Sequence, residues 1–279
     1  GDKLAGIAAE SAEERVAAKV VLSHITLEDL RNNPAVPYEE DEVTRIIQDG
    51  VNEAIYREHK NKTVAEFREW ILDTETTGDM IKRASRGLTS EMVAAVCKLM
   101  SNLDLIYAAK KIRISAHCNT TIGLPGTFSS RLQPNHTTDD PKGIMASVME
   151  GLSLGCGDAV IGLNPVDDSV ESVARILKSF DEFKNKWEVP TQICVLAHVT
   201  TQMEAVRKMH APIDLCFQSI AGSQKGNEAF GLTASMLDEA HDMMMREATS
   251  TGPNVMYFET GQGSELSSEA HNGWDQVTM

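Results

Sequence analysis

The chain is short of everything that would place it in a membrane, on a nucleic acid or in a disulfide scaffold. No apolar run approaches the ~20 residues that span a bilayer, so no membrane segment is expected. Gly1-Asp2-Lys3-Leu4 leads into an Ala/Glu-rich stretch, not into a charged and then apolar leader. The five cysteines, Cys97, Cys118, Cys156, Cys194 and Cys216, include no CxxC pair. That argues against both a disulfide framework and a zinc cluster. Cys194 and Cys216 lie inside apolar runs, where a thiol is a small core hydrophobe. Basic residues are outnumbered, 26 Lys and Arg against 41 Asp and Glu, for a net charge of −15. The densest basic cluster is only Lys110-Lys111-Ile112-Arg113, so nucleic acid is not an expected partner. The expectation is a soluble, intracellular globular protein.

Two kinds of pattern are present, and they divide the chain. Residues 1–115 read as an all-helical region. Ala-rich 8–24 is amphipathic, Thr26 opens a short helix that Asn33-Pro34 stops, and Val43, Ile46, Ile47, Val51 and Ile55 recur at helical spacing. Thr63-Val-Ala-Glu has the form of a capping box, and Thr89-Ser90 starts a helix through Met100. From 116 to 279 short apolar runs alternate with helical patterns. Strands are expected near 121–130, 158–163, 192–197, 213–218 and 254–259, and helices near 140–153, 168–186, 201–209 and 228–248. Such alternation predicts βα units and a parallel sheet, of the α/β class. A closed (β/α)8 TIM-type barrel takes about 250 residues. About five of eight units are present, so the chain is expected to be cut short.

In a parallel barrel the C-terminal strand ends converge on one mouth. Five polar positions fall there: Arg131 with Gln133, Asn164 before Pro165, His198, Gln218 and Glu259. Arg131 and Gln133 are two residues apart and share a face of an extended segment. An arginine fork and an amide together suit a small polar substrate, whereas the bland alternative is a surface salt bridge. Asn164 is either a turn residue or an amide facing a substrate amine. Glu259 follows Val255-Met256-Tyr257-Phe258, so its charge needs a partner, either substrate or Arg131. His198 has no HxH or HxxxH companion, which weighs against a metal ligand. The run after Glu259, GQGSELSS, is not a P-loop. Met243-Met244-Met245 reads as helix packing. None of the strand runs carries the lysine of a Schiff-base aldolase, and too few His, Asp and Glu sit at strand ends for a binuclear metal site. A metal-dependent barrel lyase or aldolase using Glu259 and His198, and a non-catalytic assembly module, remain as alternatives.

The segments that carry these positions are FSSRLQPN (128–135), GDAVIGLNPV (157–166), LAHVTTQ (196–202), FQSIAGSQKG (217–226) and YFETGQGSELS (257–267). With RNNPAVPYEEDEVTRIIQD (31–49) and NTTIGLPGTFS (119–129), they closely resemble the large subunit of ethanolamine ammonia-lyase, along the whole chain in one register. Members of that family begin before Gly1 and continue well past Met279, in line with a truncated barrel. The resemblance implies an adenosylcobalamin-dependent radical lyase that converts ethanolamine to acetaldehyde and ammonia. It implies a separate small subunit, a homo-oligomer of large subunits, and a place in the cytoplasm within a bacterial microcompartment. Carried over by motif, Arg131 and Glu259 address the substrate hydroxyl, Gln133 and Asn164 the amino group, and the Leu132 backbone lies in the same segment. Pro165, Gln218 and Ser267 touch the cobalamin. The chain has no DxHxxG, so His198 is not expected to bind cobalt and no protein metal ligand is expected. The carboxylate that pairs with the substrate ammonium falls beyond Met279, so residues 1–279 alone are expected not to turn over.

Overall fold

The computed structural model describes residues 8–260. They form two compact units, one of residues 8–113 with 220–232 and 260, the other of 114–219 with 233–259.

The first unit is helical. Its helices are α1 (Ala12–His24), α2 (Leu27–Asn32), α3 (Glu42–Asp49), α4 (Glu53–His59), α5 (Val64–Leu72), α6 (Gly78–Ser85), α7 (Ser90–Leu99) and α8 (Asn102–Lys111). All eight open on a Ser, Thr, Asp or Asn whose side-chain oxygen accepts from a backbone N–H in the first turn: Ser11, Thr26, Asp41, Asn52, Thr63, Thr77, Thr89 and Ser101. Each such cap is worth about 1 kcal/mol and fixes where the helix starts. The box expected at Thr63 is present, with Thr63 N donating to Glu66 Oε2 at 2.8 Å and Glu66 N to Thr63 Oγ1 at 3.1 Å. The apolar series from Val43 to Ile55 does not make one helix. Asn52 caps a new one, so the chain breaks into α3 and α4, and Ile46 is left exposed. The core gathers Leu27, Val64, Phe67, Ile81, Met92 and Val96. The amphipathic reading of α1 buries nothing; Val16, Val20 and Val21 are exposed.

The second unit alternates strands and helices. A small antiparallel hairpin, β1 (Ala116–His117) with β2 (Thr121–Ile122), comes first. Then follow β3 (Arg131–Leu132), α9 (Pro141–Ser153), β4 (Val160–Leu163), α10 (Val170–Lys186), β5 (Ile193–Val195) and α11 (Val199–Met209). Strands β3, β4 and β5 form a parallel sheet in that order, with Leu132 opposite Ile161 and Ile161 opposite Ile193. Helices α9 and α10 are the crossovers that a parallel pair needs. All four residues of β4, Val-Ile-Gly-Leu, are buried, as a strand covered on both faces must be. Strand β6 (Cys216–Ile220), α12 (Gln224–Glu228), α13 (Ala234–Glu247) and β7 (Met256–Thr260) complete the order, with β6 beside β7. Helix α12 belongs to the helical unit, where the buried Asp41 accepts from Gln224 N at 2.6 Å while also capping α3. The class is mixed α/β with parallel strands, and no closed barrel forms among the described residues.

The first strand expected, 121–130, is displaced. Gly123 and Gly126 adopt left-handed backbone, with φ of 88° and 78°, and turn the chain out of extended conformation. The parallel strand therefore starts only at Arg131, so Arg131 lies in a strand, not after one. Gln218 and Glu259 likewise lie within β6 and β7.

No ladder joins β5 to β6 among the described residues. One backbone bond, from Leu215 N to Ile193 O at 3.2 Å, and several side chains bridge the gap. Gln202 on α11 donates from Nε2 to the carbonyls of Ala197 and Phe217, both at 2.7 Å, and accepts Phe217 N at 3.0 Å. The fully buried Asp214 accepts from Ile193 N at 3.0 Å, from Thr249 Oγ1 at 2.8 Å and from Lys184 Nζ at 2.6 Å. At the opposite strand ends from Asn164, the hairpin is tied down. Asn119 N and Thr120 N donate to Gln192 Oε1, and His117 N donates to Asn254 Oδ1 at 2.7 Å.

Candidate active site

Alternation along β3 orients the first candidate residues. The Leu132 side chain packs toward α9 over Gly151, where any Cβ would run into its methyl groups. Arg131 and Gln133 therefore project to the other face. There Arg131 Nη1 donates to Tyr257 Oη at 2.6 Å and to Glu259 Oε2 at 3.0 Å, and Nη2 donates to Gln133 Oε1. Tyr257 Oη donates in turn to Glu259 Oε2 at 3.4 Å. The Tyr257 ring is held edge-on against Phe217, centroids 5.5 Å apart. Three expected site residues, Arg131, Gln133 and Glu259, thus meet, although 128 positions separate the outer two.

The electrostatics follow from partial burial. Desolvation alone would lower the pKa of the Arg131 guanidinium, but the bonds to Tyr257 and Glu259 outweigh it and hold the pKa above its usual value. The charge is therefore permanent. Burial raises Tyr257, against the pull of Arg131, so Tyr257 is a neutral phenol that can accept from the arginine and donate to the carboxylate. The Glu259 side chain keeps 44% exposure, so this ion pair is open to a third, polar group. Tyr257 was read from sequence only as part of an apolar run. Its spacing of two from Glu259 puts both on one face of β7, and that is the signal that finds it.

Asn164 and Pro165 lie just past β4. Asn164 is exposed and its amide makes no side-chain hydrogen bond among the described residues, while Pro165 is half-buried. The backbone here is gripped by the loop after β3. Asn164 N donates to Asn135 Oδ1 at 3.0 Å, and Val166 N and Asp167 N both donate to Asp139 Oδ2 at 2.8 Å. Neither Asn135 nor Asp139 stood out in the sequence.

Gln218 is buried, and both ends of its amide are engaged within the chain. Oε1 accepts from Val199 N at 2.8 Å and Nε2 donates to Ser219 O at 2.9 Å. His198 caps α11 through Nδ1, and its Nε2 is buried without a hydrogen-bond partner. Ser267 and the GQGS run lie outside the described residues. Among the described residues no three His, Cys, Asp or Glu side chains gather as metal ligands. Burial pushes the Cys194 and Cys216 thiols up to about 12, so both stay protonated. A cavity of about 370 Å³ opens beneath Arg131, toward the hairpin, lined largely by apolar groups such as Cys118, Ile122, Val160 and Leu215.

The comparisons with known proteins agree with one another. The family described as ethanolamine ammonia lyase large subunit (EutB) matches residues 1–279. Curated relatives include the ethanolamine ammonia-lyase large subunits of Escherichia coli K12 and of Salmonella typhimurium, each 56% identical over 279 residues. The whole of this chain is covered, and it spans 61% of the length of each relative. No helix among the described residues is long and apolar enough to cross a membrane. A match that runs from the first residue to the last, and passes through every segment that builds the Arg131 cluster, makes the chain a member of the ethanolamine ammonia-lyase large subunit family.

Proposed function

We propose that the complete protein is an ethanolamine ammonia-lyase, and that residues 116–279 are the first part of a TIM-type barrel preceded by the helical region 1–115. The observation that carries the substrate site is the Arg131–Glu259 pair with Gln133 and Tyr257 around it. Ethanolamine offers one hydroxyl and one ammonium. The hydroxyl fits between Arg131, which donates to its oxygen, and Glu259, which accepts a hydrogen bond from it. Tyr257 holds both in register, so the pair is preorganised before substrate arrives. The amide oxygens of Gln133 and Asn164 are the acceptors for the ammonium. Arg131 keeps its charge, so it binds and orients the hydroxyl as a hydrogen-bond donor and cannot itself take up a proton.

Adenosylcobalamin is the cofactor in this reading, and the residues at the end of β4 fit a large polar and apolar group. Asn164 offers an unengaged amide beside Pro165 and Val166, the latter 67% exposed. When bound, the group supplies the radical that removes hydrogen from the hydroxyl-bearing carbon. Pro165 and Ser267 are the contacts proposed for it. Gln218 joins them only if its amide leaves Val199 and Ser219. The small subunit, assembly of several large subunits, and a place in the cytoplasm within a microcompartment belong to the same proposal.

The test is acetaldehyde formation by the full-length large subunit with its small subunit and adenosylcobalamin. Arg131→Ala should lower kcat/KM by about 100-fold or more, because it strands Glu259 and Tyr257 together. Residues 1–279 alone should release no ammonia. Turnover without cobalamin, or an Arg131→Ala enzyme with unchanged kcat/KM, would overturn the reading.

A further inference from the structure

Asp139 stands out in the second unit on three counts. It is almost fully buried, it is one of three non-glycine residues with positive φ among the described residues, at 50°, and one of its carboxylate oxygens is buried without a hydrogen-bond partner. Left-handed backbone at a residue with a Cβ is strained, and such strain persists only where surrounding contacts enforce it. The contacts here are specific. Asp139 Oδ2 takes the N–H groups of Val166 and Asp167, both at 2.8 Å, and Asn135 Oδ1 takes that of Asn164 at 3.0 Å. Pro165 has no N–H. Two side chains from the loop after β3 therefore accept every backbone donor of residues 164–167. The other carboxylate oxygen, Oδ1, is buried without a hydrogen-bond partner. Burying an unpaired acceptor is costly, so the position is not there for stability alone.

We infer that Asp139, with Asn135, is a positioning residue that sets where the Asn164 amide stands relative to the substrate. The inference rests on the role proposed above for Asn164. Its physical basis is that Asn164 is exposed, at the end of a four-residue strand, with no side-chain bond of its own to hold it. Neighbouring loops hold it through the backbone alone. The strained backbone at Asp139 aims one carboxylate oxygen at two successive N–H groups, which a relaxed loop would offer to water. Asp139 touches no reacting atom in this scheme.

Three variants in the full-length holoenzyme, followed by amide hydrogen exchange and by steady-state kinetics, test it. Asp139→Gly keeps the left-handed backbone and removes the acceptor. Asp139→Asn keeps an acceptor and tolerates left-handed backbone. Asn164→Ala removes the amide whose position is in question. Asp139→Gly should speed exchange at Val166 and Asp167 and raise KM for ethanolamine about tenfold, with a smaller change in kcat. It should add little in the Asn164→Ala background, because two residues acting through one contact are not additive. Asp139→Asn should restore both exchange protection and KM. Unchanged exchange in Asp139→Gly overturns the clamp, and faster exchange with KM unchanged, or additive effects with Asn164→Ala, overturns the positioning role. If Asn164→Ala alone leaves KM unchanged, the substrate role of Asn164 fails and the positioning role falls with it, while the exchange data still report on the clamp. Should Asp139→Gly not assemble, Asn135→Ala, which leaves the backbone of Asp139 untouched, takes its place in the same cycle, with exchange read at Asn164.

Discussion

The helical unit and the α/β unit are held together by different means. In residues 8–113 order is local. Each helix is opened by a cap three residues from its partner, and the buried core is aliphatic and aromatic. In residues 114–219 and 233–259 the strands are two to five residues long, too short for ladders to do the whole task. Buried Gln192, Gln202, Asp214 and Gln218 reach 15 to 73 residues along the chain to satisfy backbone groups that a longer strand would have paired. Local capping limits the damage from any one change, whereas a buried polar bridge fails as a unit. The second arrangement also brings Arg131 of β3 against Glu259 of β7, with Asn164 exposed just past β4.

That contrast can be broken most sharply at Asp214. Asp214→Ala strips three donors of their acceptor and leaves Lys184, itself 11% exposed, with only the longer contact to Asp181 Oδ1 at 3.6 Å. Denaturant unfolding should register a loss of about 3–5 kcal/mol. Gln202→Ala comes next. It abolishes three bonds between α11 and the β5–β6 region, and a loss of about 2–3 kcal/mol is expected in the same measurement. A matching change in the helical unit should be milder: Thr63→Ala removes one cap and should lower stability by about 1 kcal/mol. If Thr63→Ala proves as costly as Asp214→Ala, the distinction between local and long-range order fails.

The smallest effect concerns a buried imidazole in the helical unit. His59 lies against Phe67 and Trp70, with centroids 5.4 and 5.1 Å away, and its Nδ1 has no partner. Burial, assisted by Lys62, holds its pKa below the ordinary 6.5. The unfolded chain therefore takes up a proton more readily as pH falls below 6.5. Stability is unaffected above that pH, drops as pH descends toward the lowered folded value, and levels off beneath it. Glu91 acts in the opposite sense at lower pH, since burial raises its carboxyl and protonation favours the folded state. Comparing His59→Phe with the unaltered chain isolates the histidine. The variant should unfold at a similar temperature at pH 7 and lose less on going to pH 5.5. Equal losses in both would show that the ring is not buried as neutral imidazole.

Particular elements show what was readable. Thr26, Thr63 and Thr89 announced their helices because a cap is a contact between residues three apart. The βα alternation after residue 140 was legible for a similar reason, since burial on both faces forces runs such as Val160–Leu163. The first strand was misplaced because Thr121–Ile122 and Arg131–Leu132 have similar local preference, and only left-handed glycines and pairing with β4 decide between them. That Arg131, Gln133 and Glu259 meet was expected from their position along strands, and Tyr257 was within reach of the same rule. Asn135, Asp139 and the inward use of Gln218 were not, because each depends on which backbone N–H lies opposite.

The amino-acid sequence by itself determined the helix starts, the α/β class of the second half, the family, and the polar positions worth testing as one site. These rest on contacts a few residues apart or on periodic burial, and such signals survive in one dimension. Only the tertiary structure decided that Arg131 faces Glu259 and Tyr257, that Gln202 and Asp214 replace missing ladders, and that a strained Asp139 holds the loop carrying Asn164. Those depend on directions and distances between segments up to 128 positions apart, and hydrogen bonds are too short-ranged and angular for composition to specify them.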